Sequence, residues 1–110
     1  MKFPKNLKIC GKDITIKYKD KITSSSFDAT EHTIEIRTNQ KVEDMFEDLI
    51  HETLEYVLYM NNVRLSVDYD EVDFSDFRFM FNHNEFCIIA REMSNVVQQI
   101  MEVKSGNKHR

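Results

Sequence analysis

At Thr38-Asn39 the spacing of apolar residues changes from every second residue to every third or fourth, and this switch constrains the fold more than any other feature of the chain. Before it, Leu7-Lys8-Ile9-Cys10 and the run Asp13 to Lys19 alternate apolar with polar side chains on either side of Gly11-Lys12, the pattern of a hairpin of two half-buried strands. Asp20 to Asp28 is polar and aperiodic, and His32 to Arg37 then alternates again as a third strand. After the switch, Val42, Met45, Phe46, Leu49, Ile50, Leu54, Val57 and Leu58 recur at helical steps. Thr38 or Asn39 is placed to cap that helix, Glu43, Asp44, Glu47 and Asp48 suit its positive end, and Asn61-Asn62 suits its termination.

Leu65 to Phe81 mixes acidic with aromatic residues and reads as a loop with a short helix. A final amphipathic helix is expected from about Asn84 to Val103, its apolar stripe made of Phe86, Ile89, Ala90, Met93, Val96, Val97, Ile100 and Val103. Residues 104–110 read as a flexible basic tail. Strands first and helices second predict one α+β domain over residues 1–103, a small three-stranded antiparallel sheet carrying two long helices on one face.

Composition removes several function classes. Of 110 residues only two are glycine, and Gly11 and Gly106 are too far apart to build a phosphate-cradling loop. Cys10 and Cys87 stand alone, so no Cys-x-x-Cys motif or multi-cysteine zinc cage exists; both are expected as small buried hydrophobes. Met45, Met60, Met80, Met93 and Met101 are expected to fill the core. Ser24-Ser25-Ser26 lacks the glycine-flanked elbow of a serine hydrolase. Lysine and arginine total 15 against 19 aspartates and glutamates, a net charge of -4 that argues against general nucleic-acid binding. No apolar run approaches the roughly 18 residues of a membrane span, and the N-terminal stretch has no apolar signal region, so a cytoplasmic protein is expected.

Within the first long helix stands Leu49-Ile50-His51-Glu52-Thr53-Leu54-Glu55, a His-Glu-x-x-Glu string where zinc peptidases carry His-Glu-x-x-His. His51 and Glu55 are one helical turn apart on the same face and can share a metal ion; imidazole and carboxylate are both ordinary zinc ligands. Glu52 lies about 100° round the helix, beside such a metal, where a carboxylate can act as general base toward a metal-bound water. A catalytic zinc takes three protein ligands. His83, opening the last helix, is the leading candidate for the third; Glu85 and Glu92 are the reserves, and His32 is weaker, being expected on the apolar side of the third strand. The bland alternative is that Asp44, Asp48, His51 and Glu55 form nothing but a solvated polar stripe.

With these motifs the chain resembles the small zincin-like metallopeptidase proteins of phages and prophages, distant relatives of the ImmA/IrrE peptidases. The likeness is carried by the hairpin at Ile9-Cys10-Gly11-Lys12, the strand Thr33-Ile34-Glu35-Ile36, the block Asp48 to Val57, and His83-Asn84-Glu85-Phe86 opening a helix that runs to Ile100-Met101. It spans most of the chain and is strong only in the His51 block. The resemblance implies a zinc cofactor held by His51, Glu55 and a downstream residue placed at His83, with Glu52 as catalytic base, and it implies a protein substrate such as a repressor. The departure is Glu55 where the peptidases most often have histidine; the added negative charge makes a bound zinc a weaker Lewis acid and leaves room for a non-hydrolytic member.

A second, different expectation concerns Asp68 to Phe77. Asp70, Glu71, Asp73 and Phe74 make an acidic, aromatic segment suited to binding a basic protein partner, so the alternative function is a non-catalytic interaction or inhibitor protein on the same scaffold. Asp68-x-Asp70 lacks the glycine and closing glutamate of a calcium loop.

Overall fold

The structure, a computed structural model, describes residues 2–62, 64–66 and 77–105. Strands β1 (Asn6–Ile9), β2 (Lys12–Lys19), β3 (Ser26–Asp28) and β4 (Thr33–Arg37) precede helix α1 (Val42–Met60). A short pair, β5 (Arg64–Ser66) and β6 (Phe77–Phe79), and helix α2 (His83–Ser105) follow.

The hairpin forms, with its turn one residue earlier than expected: β1 ends at Ile9, Lys12 opens β2 and the turn is Cys10-Gly11. Cys10 and Gly11 both take positive φ (51° and 79°), the twist that a two-residue turn between antiparallel strands needs. A Cβ on Gly11 would meet no atom within 4 Å, so glycine is favoured there by backbone conformation alone.

The sheet corrects the expectation of three antiparallel strands. It has four, in the order β1-β2-β4-β3, and it is mixed: β1 pairs antiparallel with β2, β2 pairs parallel with β4, and β3 pairs antiparallel with β4. β3 lies inside the stretch that carries no apolar alternation. Its one apolar residue, Phe27, is half-buried, and a three-residue strand is too short to show a period. β3 takes the outer edge antiparallel to β4, and β4 lies beside β2 and parallel to it. Register places Ile16 opposite Ile34 and Tyr18 opposite Ile36. Of the expected loop with a short helix between Leu65 and Phe81, the described residues at the two ends pair as β5 and β6, and residues 67–76 lie outside the described residues. Asp70, Glu71, Asp73 and Phe74 lie outside the described residues, as does most of the expected tail, while α2 continues to Ser105.

Alternation does its work on one face of the sheet. Leu7, Ile9, Ile14, Ile16, Ile34 and Ile36 form a single buried cluster with Leu49, Tyr56 and Val57 of α1 and Ile89, Val96 and Ile100 of α2. α1 packs on β4, β3 and β1; α2 packs on β1. Removing such apolar area from water is worth roughly 25 cal/mol per Å², and it is this burial that holds the helices down.

Neither Thr38 nor Asn39 caps α1. Thr38 donates its N–H to Lys19 O and prolongs the sheet, and the helix starts after Lys41, which makes no side-chain cap; Glu43 and Asp44 in the first turn face the positive end of the dipole. Asn61 ends the helix as expected, its side-chain amide donating to Val57 O, and Asn62 takes the left-handed conformation (φ 58°) common just past a helix end.

At α2 the start is one residue earlier than expected, for a reason legible in the local chain. Asn82 Oδ1 accepts from Glu85 N–H and Glu85 Oε1 accepts from Asn82 N–H, both at 2.9 Å, a reciprocal capping box. Phe81 and Phe86 stack with ring centroids 6.2 Å apart across that box and complete a hydrophobic staple.

The packing corrects part of the expected core. Ile89, Val96 and Ile100 are buried and Met93 and Val103 half-buried, but Phe86, Ala90 and Val97 of the predicted stripe face solvent, as do Val42 and Leu54 of α1. The sheet is too narrow to cover the whole apolar arc of α2. Met80 and Met101 are exposed instead of core-filling, Cys10 is half-buried and Cys87 exposed. Among the described residues no helix is long and apolar enough to cross a membrane.

Candidate metal centre

α1 presents His51, Glu52 and Glu55 at the boundary between its buried and its solvated face. His51 Nε2 stands 2.6 Å from Glu55 Oε2, a one-turn contact that the helix geometry sets up by itself. The His51 side chain is 62% exposed and that of Glu55 26%, whereas Glu52 as a residue is only 8% exposed. One potential ligand atom from each of the three lies within 4.8 Å of the others, and this group can hold a metal ion. Its donors, one imidazole and two carboxylates, suit zinc and other divalent cations of intermediate hardness.

Glu52 owes its position to the neighbours on its side of the helix. Leu49, Thr53 and Tyr56 are all fully buried, and Thr53 turns its hydroxyl back to Ile50 O at 3.0 Å, so the turn carrying His51 and Glu52 is fixed against the sheet.

A turn earlier on the same polar stripe, Asp48 has a structural task. Its Oδ2 accepts from Ser25 Oγ (2.6 Å) and from Gln40 Nε2 (3.0 Å). Ser25 Oγ in turn accepts the Arg37 N–H at 2.9 Å, and Gln40 Nε2 also donates to Arg37 O at 2.6 Å. The end of β4, the approach to β3 and the first half of α1 are thereby tied at one carboxylate. No local pattern in the sequence signals the bonds from Asp48 to Ser25 and Gln40, the first of which crosses 23 residues.

The other sequence-derived ligands lie elsewhere. His83 is the first residue of α2 and exposed; its ring stacks on Phe86 at 6.3 Å and stands 3.9 Å from Cys87 Sγ, and it is not part of the three-residue group. Glu85 is engaged in the capping box. Glu92 faces Cys10, whose thiol is pushed up to about 11 by burial and then by the Glu92 charge. His32 occupies the turn before β4, with φ 56°, in place of the expected strand position, and its Nδ1 lies 3.1 Å from the Tyr56 hydroxyl. Burial, with Cys10, Asp28 and Tyr59 adding to it, raises the Tyr56 phenol above its ordinary value.

One turn past Glu55, Tyr59 helps to line an open cleft of about 370 Å³ whose other wall is β3, with Ser26, Phe27 and Asp28. β3 is the edge strand on this side of the sheet.

Compared with family models, with curated proteins and with solved structures, the chain matches none.

Proposed function

We propose that the chain is a small zinc-dependent peptidase, or a peptidase-like protein of phage or prophage type working in the bacterial cytoplasm, with its centre on α1. The observation that carries this reading is the convergence of His51, Glu52 and Glu55 within 4.8 Å with only Glu52 buried. His51 and Glu55 would hold the metal. Zinc, when bound, supplies Lewis acidity and lowers the pKa of water that it holds. Glu52 is then the group that accepts the proton at its carboxylate and returns it to the departing amine nitrogen. The open cleft between the edge strand β3 and Tyr59, one helical turn past Glu55, is where an extended peptide would lie. The resemblance assigns the third ligand to His83.

The test is elemental analysis of untagged protein beside two variants. About one zinc per chain, lost in His51→Ala and kept in Glu52→Gln, supports the site; a peptidase assay then separates Glu52→Gln from the parent.

The competing reading is a non-catalytic interaction protein. It is favoured by one fact: at 2.6 Å, with the imidazole mostly in solvent, His51 and Glu55 already satisfy each other as an ordinary one-turn pair. On that reading no zinc is retained, Glu52→Gln is silent, and charge reversal at Asp70 and Asp73 weakens capture of a basic partner.

A further inference from the structure

Of the sheet's two edges, β1 lies beside α2, whose Gln99 bonds the Lys8 backbone, and β3 borders the open cleft of about 370 Å³. The two faces at that second edge differ in chemistry. Phe27 pairs with the buried Ile34 and turns to the helix side, where its ring meets that of Tyr59 edge-on at 6.0 Å; Tyr59 is 46% exposed. Ser26 and Asp28 alternate with Phe27 and therefore lie on the far face, opposite Glu35 and Thr33. All of these except Ile34 line the cleft, and among the described residues no lysine or arginine joins them. Helix α1 alongside carries six carboxylates and neither lysine nor arginine.

We infer that the peptide held here is added as a strand beside β3 and carries an apolar side chain flanked on both sides by basic ones. This rests on the reading of the cleft as the place of an extended peptide, and it says which peptide. In paired strands the side chains directly opposite each other share a face. The residue opposite Phe27 therefore packs on Phe27 and Tyr59, while its two neighbours stand over Ser26 and Asp28. There Asp28 supplies the charge: its Oδ1 accepts the Thr30 and Glu31 N–H groups at 3.0 and 3.1 Å, neutral donors that leave the charge uncompensated. Glu35 stands one strand further in, about 10 Å from an added strand at the usual spacing, within the reach of a lysine or arginine. It already holds Lys19 at 2.9 Å, so Asp28 carries most of the preference. A run of basic, apolar, basic reads the same in both directions, and the pattern holds for either polarity of the added strand. The net charge of -4 adds a general attraction for such a peptide.

Fluorescence anisotropy on the full chain, kept in chelator so that no probe is cut, compares a labelled short peptide of alternating lysine and valine with its twin carrying glutamate for lysine. The lysine probe is expected to bind about fivefold more tightly or better at low ionic strength, with the gap closing in salt. Asp28→Asn keeps the oxygen that caps the turn and removes its charge, and is expected to narrow the gap roughly two- to fivefold. Tyr59→Ala should weaken the lysine probe and Tyr59→Phe should not. Strand pairing has its own test: methylating the probe's amide nitrogens at every valine, or instead at every lysine, blocks one edge of the peptide or the other, so one of the two should lose binding and the other keep it. A lysine probe that does not bind or is not preferred, a gap unchanged in Asp28→Asn, or equal binding of the two methylated peptides overturns the inference. The peptidase reading fails separately. A chain that never retains zinc yet shows this preference leaves the inference standing, and a zinc-loaded chain that cleaves peptides without it leaves only the peptidase.

Discussion

The side-chain amide of Gln99 holds both backbone groups of Lys8, 91 residues away: its Oε1 accepts the Lys8 N–H and its Nε2 donates to the Lys8 carbonyl, each at 2.7 Å. The two bonds imitate a neighbouring strand on the outer side of β1 and close part of an edge that would otherwise be open to another chain. With hydrogen bonds worth roughly 0.5–1.5 kcal/mol each, Gln99→Ala should lower the unfolding free energy by about 1–3 kcal/mol in a urea titration. Gln99→Glu keeps the size but sets an oxygen against the Lys8 carbonyl, and is expected to destabilise at least as much.

At the α1 centre the variants divide by role. His51→Ala and Glu55→Ala should both empty the site of zinc, and Glu52→Gln should retain it while any hydrolytic rate falls roughly 10²- to 10⁴-fold, the usual loss on removing a general base. His83→Ala asks whether α2 completes the set: a drop in zinc affinity with unchanged folding supports its role as ligand, and unchanged affinity removes it.

Ser25 is predicted to matter for folding more than its place in a polar stretch suggests. Its hydroxyl donates to Asp48 and accepts from Arg37 N–H, so Ser25→Ala leaves a part-buried carboxylate and a backbone N–H each short of a partner. A loss of roughly 1–3 kcal/mol is expected, together with faster amide exchange at Arg37. Ser25→Thr, which keeps the hydroxyl, should recover most of it.

The two thiols should separate by pH. Cys87 is exposed, whereas Cys10 is half-buried beside Glu92 and its thiol is held protonated up to about 11, against an ordinary value of 9.0. Disulfide reagents are therefore expected to modify Cys87 near neutral pH and to leave Cys10 until strongly alkaline conditions. The folded state holds the Cys10 proton more tightly than the unfolded chain does. The stabilisation is thus complete below pH 9.0 and is lost as the pH rises through about 11. Cys10→Ala should flatten that part of the denaturation profile.

In the Cys10-Gly11 turn, Gly11→Ala should cost about 1–2 kcal/mol, the price of a left-handed conformation, since the added methyl meets nothing. Asn82→Ala, which deletes half of the capping box, should cost about 1 kcal/mol in thermal or urea unfolding.

What could be read from the chain alone is what depends on neighbours a few residues away. Alternation located β1, β2 and β4, the helical period located α1 and α2, and the one-turn spacing of His51 and Glu55 made their contact a property of the helix, with Glu52 beside them. Tertiary structure decided the rest, because strand order, register and coverage depend on residues far apart in sequence. Phe27 alone could not announce β3, so the mixed sheet and the parallel pairing of Ile16 with Ile34 were beyond local pattern. The ties from Ser25 to Asp48 and from Gln99 to Lys8 cross 23 and 91 residues. The same holds for the split of α2's apolar arc. Hydrophobicity marks every residue able to leave water, but the width of a four-stranded sheet decides that Val96 and Ile100 do so within the chain while Val97 and Met101 remain at its surface.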